Sequence, residues 1–110
     1  MSTLRIRSQG VLLTKYHSTP TTVDGIRFHS KKEAAYYLHL KLLKAEGKIK
    51  YFLRQTVFHL PGNVRYAVDF MVVDNDGSVE FIDVKGFLNS HTKNKIKITE
   101  ALYPIKIKLV

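Results

Sequence analysis

Val79-Glu80-Phe81-Ile82-Asp83-Val84-Lys85-Gly86, read together with Tyr66-Ala67-Val68-Asp69-Phe70-Met71-Val72-Val73, decides how this chain folds. Both segments are rich in β-branched and aromatic residues, which marks them as strands. Each also carries an Asp where a strand bound for a core should avoid one, because burying an unpaired carboxylate costs several kcal/mol. The intervening Asp74-Asn75-Asp76-Gly77-Ser78 suits a three-residue hairpin loop. Asn75 and Asp76 fill a type I turn, and Gly77 takes the left-handed bulge position. That register pairs Val73 with Val79, Met71 with Phe81 and Asp69 with Asp83, and it puts Lys85 opposite Ala67 on the same face. Directly opposed like charges destabilise a sheet, since their Cβ atoms are only ~5 Å apart. A divalent cation held between them removes the conflict, because Mg²⁺ and Mn²⁺ prefer such oxygen ligands. A four-residue loop would instead shift the register by one and send the two Asp to opposite faces.

Composition narrows the class. The chain has 110 residues, enough for one domain with a real core, and 45% hydrophobic content within the globular range. It has no cysteine, which excludes a disulfide framework and zinc–thiolate chemistry. No apolar run is long enough to span a membrane, and the N-terminal segment lacks an apolar signal region, so a cytoplasmic protein is expected. The formal net charge of +9 points to a polyanionic partner, nucleic acid first. Only nine acidic residues exist, and three of them (Glu33, Asp69, Asp83) fall beside apolar residues inside expected helix or strand.

Taken in order, residues 1–22 form a basic N-terminal arm and linker, and residues 23–110 form the domain. The run Ser18-Thr19-Pro20-Thr21-Thr22 reads as linker, and Asp24-Gly25 as a tight turn into a short extended piece. A helix is expected over residues 30–46, stopped by Gly47, with Ala34, Leu38, Leu42 and Ala45 as its inward stripe. Glu33, Tyr37 and Leu40 share an adjacent face. Extended segments follow at residues 49–53 and 55–60, with Pro61-Gly62-Asn63 as a turn, and then come the two Asp-bearing strands. A lysine-rich helix occupies about residues 88–102 and ends at Tyr103-Pro104, and residues 105–110 alternate as a final strand near a sheet edge. The order helix, three strands, helix, strand is α/β, a small mixed sheet flanked by helices.

Asp69, then thirteen residues (70 to 82), then Asp83-Val84-Lys85 resembles the motif of the PD-(D/E)xK phosphodiesterase superfamily. That superfamily includes restriction endonucleases and archaeal Holliday-junction resolvases, and its core is a restriction-endonuclease-like αβββαβ arrangement. Its motif is an Asp on one hairpin strand and (Asp/Glu)-x-Lys on the next, often with a Glu on the first helix, here Glu33. The proline before the first Asp is replaced by Val68. Asp24-Gly25-Ile26-x-Phe28-x-Ser30-Lys31-x-Glu33-Ala34, Gln55, Tyr66-x-x-Asp69-Phe70 and Asp83-Val84-Lys85-Gly86 also resemble a small phage and prophage family of uncharacterised domains.

The resemblance implies a metal-dependent endonuclease that hydrolyses DNA phosphodiester bonds, encoded by a phage or prophage and acting in replication or recombination on structured or duplex DNA. Asp69, Asp83 and the Val84 carbonyl would bind Mg²⁺ or Mn²⁺, Lys85 would position the attacking water, and Glu33 would hold a second metal or orient a metal-bound water. Gly86 would let the DNA backbone approach without a Cβ in the way. Arg27, His29, Lys31, Lys32, Arg54, Gln55, Lys93, Lys95 and Lys97 are the remaining candidate DNA contacts.

Simpler readings stand beside these. Asp83 and Lys85 could be a surface ion pair, and Asp69 a bulge or edge residue. Ser30-Lys31-Lys32-Glu33 is a capping box, which accounts for Glu33 without catalysis. Gln55 could be a satisfied polar residue at a strand start, a support to the metal shell or a DNA contact. The five histidines show no metal-ligand spacing such as His-x₃-His. No phosphate loop, dinucleotide fingerprint or nucleophile elbow is present, so no small-molecule cofactor is expected. The alternative function is a non-catalytic DNA-binding or assembly module that keeps the fold. A single domain offers one active site, so cutting both strands would call for a homodimer.

Overall fold

The computed structural model describes residues 19–85 and 88–110. Most of the expected basic arm and Gly86 lie outside the described residues. The chain packs as two units divided between Ala35 and Tyr36.

In the first unit, β1 (Thr21–Val23) and β2 (Ile26–Phe28) form an antiparallel hairpin with Thr21 paired to Phe28. Asp24 and Gly25 take φ of 53° and 75°, the two left-handed positions of a type I′ turn. The expected linker therefore ends at Pro20, since the β-branched Thr21 and Thr22 are strand residues. Helix α1 (Lys31–Ala45) begins here, and the Ser30 hydroxyl accepts the Glu33 N–H at 3.1 Å.

The second unit starts within α1, which closes on a left-handed Gly47 (φ 74°). The Gly47 and Lys48 N–H groups reach back to Lys44 and Leu43 carbonyls at 3.0 and 2.9 Å, the Schellman pattern. A four-stranded mixed sheet follows in the order β3-β4-β5-β6, with β3 at Ile49–Leu60, β4 at Val64–Asp74, β5 at Val79–Asp83 and β6 at Ile107–Leu109. β3, β4 and β5 are antiparallel neighbours, and β6 lies parallel to β5 at the edge after crossing over through α2 (Ser90–Leu102). The order α1-β3-β4-β5-α2-β6 is the expected αβββαβ, in an α/β fold. The two extended segments expected around Arg54 are one continuous strand, β3.

The β4–β5 loop has the expected geometry. Gly77 (φ 90°) donates to the Asp74 carbonyl at 2.9 Å, and Asp74 N–H donates to the Ser78 carbonyl at 2.8 Å. The ladder then runs from Val73↔Val79 through Met71↔Phe81 to Phe70↔Ile82. It stops one rung short of Asp69 and Asp83, so the expected Lys85–Ala67 rung does not form. Lys85 N–H donates to the Val110 carbonyl at 3.2 Å instead.

Helix α1 buries Tyr37 and Leu40, while Leu38 and Leu42 are 48% and 56% exposed. The expected inward stripe was thus on the wrong face, apart from Ala34. Apolar residues occur nearly all round this helix, so its periodicity does not single out one stripe. From Tyr36 onward, α1 meets the sheet through Tyr36 on Phe70 and Tyr37 on Phe52, with ring centroids 5.6 and 5.8 Å apart. Helix α2 instead joins, through Ile96, a core of Leu60, Tyr66, Val68 and Ile107, flanked by Phe58 and Phe81. Adjacent strand residues point to opposite faces. Phe81 pairs with Met71, the neighbour of Phe70, so the two helices cover opposite faces of this part of the sheet.

That arrangement exposes an irregularity. Phe52 and Phe58 have the same parity on β3, as do Phe70 and Val68 on β4, yet the first of each pair packs toward α1 and the second toward α2. Both strands therefore exchange faces between the Arg54↔Phe70 and Thr56↔Val68 pairs. The residues at that level are Gln55, with φ 54°, and Asp69.

The loop geometry yields a test. A Cβ at Gly77 would meet nothing within 4 Å, so its requirement is conformational rather than steric. Gly77→Ala is expected to lower the free energy of unfolding by about 1–2 kcal/mol, measured by urea denaturation, with the native fold retained.

Candidate functional site: an opposed carboxylate pair at the end of β5

Where the β4–β5 ladder stops, side chains take over. Asp69 N–H donates to Asp83 Oδ1 at 2.8 Å, and Val84 N–H donates to Asp69 Oδ2 at 2.8 Å. Each carboxylate thus serves backbone of the opposite strand, which offsets part of the mutual repulsion. Asp83 is fully buried and Asp69 is 7% exposed. On Asp83 Oδ2 converge the Tyr66 hydroxyl, which donates to it, and the Lys85 ammonium at 3.7 Å. The Gln55 amide Nε2 donates to Asp69 Oδ1 at 3.5 Å. Strand β6 fixes this segment from the other side, since Val110 N–H donates to the Asp83 carbonyl at 3.0 Å.

Electrostatics mark Tyr66 as well. Burial first, then the hydrogen bond to Asp83 and the negative charges of Asp83, Asp69 and Glu100, hold its phenol well above the ordinary tyrosine value. The sequence-level reading left Tyr66 unassigned, because an aromatic residue in a strand reads as core. Only its spacing of three from Asp69 hinted at more.

The expected residues divide accordingly. Asp69, Asp83, Val84 and Lys85 come together where the β4–β5 ladder stops, in the interior of the β3–β4 hairpin, and the burial of both carboxylates argues against an edge role for Asp69 and an exposed ion pair for Asp83. Lys85 alone is open to solvent, its side chain 29% exposed. Glu33 belongs to the first unit. It is buried in the first turn of α1, with its Oε1 3.8 Å from Nδ1 of the exposed His29. Arg27, Lys31 and Lys32 are exposed in the same unit. In the second unit Lys93 and Lys97 are exposed on α2, and Lys95, Arg54 and Gln55 are half-buried.

The donor set fits a hard divalent cation. A carboxylate offers about four lone-pair positions, so accepting a backbone N–H leaves each Asp able to ligate. Two carboxylates also suit Mg²⁺, which keeps several of its waters. Among the described residues, no group of three or more His, Cys, Asp or Glu is assembled into a metal cage. No helix among them is long and apolar enough to cross a membrane.

Tyr66 provides a test. A hydrogen bond to a charged group contributes about 1.5–3 kcal/mol, and Tyr66→Phe is expected to cost that much at neutral pH. Because the folded pKa is raised, the tyrosine's contribution is fully present below about pH 10 and is lost as pH rises beyond it. The gap in unfolding free energy between wild type and Tyr66→Phe should therefore narrow in urea titrations carried above that pH.

A search of curated proteins gave no match. A family profile described as "Protein of unknown function (DUF1064)" matches residues 13–110, beginning inside the stretch expected as an arm. That match spans most of the sequence, and the chain belongs to the DUF1064 family.

Proposed function

We propose that this chain is a metal-dependent DNA endonuclease of the PD-(D/E)xK type. The observation that carries the reading is the Asp69–Asp83 pair with Lys85 beside it, at the end of the central hairpin of an αβββαβ fold. The net charge of +9 and the exposed lysines of α2 suit a polyanionic substrate. The resemblance to phage and prophage domains supports a phage-encoded enzyme working on duplex or structured DNA in the host cytoplasm. Two copies would be needed to cut both strands at once.

Asp69, Asp83 and the Val84 carbonyl are the groups that would hold Mg²⁺ or Mn²⁺. When bound, such an ion supplies a Lewis acid to the phosphoryl oxygens and a water of lowered pKa. The protein's part is placement. Tyr66 and the Asp69 N–H fix Asp83, and Val84 N–H with the Gln55 amide fixes Asp69. Lys85, the solvent-facing member, offsets charge on the phosphate and orients the attacking water. Glu33 enters as the helix acid on the strength of the resemblance. Lys93 and Lys97 contribute phosphate contacts, so binding weakens steeply with salt.

A second reading has its own observation. Asp83 is fully buried and its carboxylate already satisfies backbone and phenol donors. The pair could then be a polar staple closing the sheet of a non-catalytic DNA-binding or assembly module.

Labelled duplex, four-way-junction and single-stranded DNA incubated with Mg²⁺, Mn²⁺ or EDTA separates the two. The nuclease reading predicts metal-dependent cutting that Lys85→Ala lowers by roughly 10²–10⁴-fold while binding is retained. Binding without cutting on every substrate supports the module.

A further inference from the structure

We infer that Gln55 is a positioning residue that uses a left-handed backbone to aim its amide at Asp69 and hold that carboxylate for the metal ion. The inference rests on the nuclease reading above.

Gln55 sits in the middle of the longest strand, at the level of Asp69, where the β3–β4 pairing passes from Arg54↔Phe70 to Thr56↔Val68 without it. Its φ of 54° is disfavoured for any residue with a Cβ, and Gly, Asn and Asp bear it best. The other described residues with positive φ obey that rule: Asp24, Gly25, Gly47, Gly62, Asn63 and Gly77. Gln55 departs from it.

The backbone has a reason to turn here, because both strands exchange faces at this level. That need alone would be met better by Gly or Asn. A glutamine in this conformation calls for a use of its side chain, and the amide supplies one. Its Nε2 lies 3.5 Å from Asp69 Oδ1, while Asp69 Oδ2 takes the Val84 N–H. With a donor on each oxygen, the plane of the carboxylate is set. Strain at a position that holds a functional group is a recurrent feature of active sites. The sequence leaves Gln55 open between a satisfied polar residue, a support to the metal shell and a DNA contact, and here its amide faces Asp69.

Gln55→Gly and Gln55→Asn separate backbone from side chain. Both tolerate the left-handed conformation and so keep the face exchange. Glycine has no amide, and asparagine's is one methylene too short to keep the contact. Calorimetric titration of Mn²⁺ into the full chain, paired with thermal midpoints in EDTA, gives the readout. The expected result is a midpoint equal to or above wild type in both variants, with Mn²⁺ affinity lower by about 10–100-fold. Unchanged affinity overturns the inference and leaves Gln55 a backbone element only. A lowered midpoint in both variants also overturns it, because the side chain is then structural. Asp69→Asn is the control for the underlying reading. If the wild type binds no Mn²⁺, or Asp69→Asn binds it equally well, the metal reading fails and this inference fails with it.

Discussion

The second unit depends on an exchange of hydrogen bonds across the Asp69–Asp83 rung. A regular antiparallel pair at this position would oppose two carboxylates at close range in a buried place. The structure instead ends the ladder at Phe70↔Ile82 and lets each Asp accept a backbone N–H across the strands. The acids thereby replace the ladder rather than disrupt it, and the point where β4 and β5 part follows from them. Tyr66 and Lys85 complete the arrangement on Asp83, and the C-terminal β6 closes it from the far side through Val110.

The same level is where the hairpin of β3 and β4 changes faces. Toward the β4–β5 loop its aromatic residues pack on α1, and toward the Pro61-Gly62-Asn63 turn they pack on α2. Each fully buried Phe or Val side chain on either side contributes roughly 1.5–3 kcal/mol, so both cores hold the crossover between them in place. Irregular backbone at Gln55 and polar side chains at Asp69 and Asp83 are concentrated there, flanked by well-packed sheet. A site built so is held rigidly without lying on a mobile loop, which suits groups that must keep a fixed geometry.

Much of this was legible in the sequence. Asp74-Asn75-Asp76-Gly77-Ser78 allows few hairpin geometries, and once Gly77 takes the bulge the β-period of two places Asp69 against Asp83. Gly47 as a helix stop and the element order were readable for similar local reasons. Other features were not. Helix α1 is apolar nearly all round, so the choice of Tyr37 and Leu40 over Leu38 and Leu42 is made by packing. Nothing local announces a left-handed Gln55, since the residues that usually signal that conformation are absent from residues 50–60. The role of Tyr66 was hidden for another reason, because a strand aromatic reads first as core, and its hydroxyl partner lies seventeen residues away.

The central claim is that the opposed carboxylates serve a metal ion. Anomalous diffraction from crystals of the protein soaked in Mn²⁺ tests it most directly. The account predicts a single strong peak ligated by Asp69, Asp83 and the Val84 carbonyl. Well-ordered density with both carboxylates still bound to the Asp69 and Val84 N–H groups, and no peak between them, would contradict it.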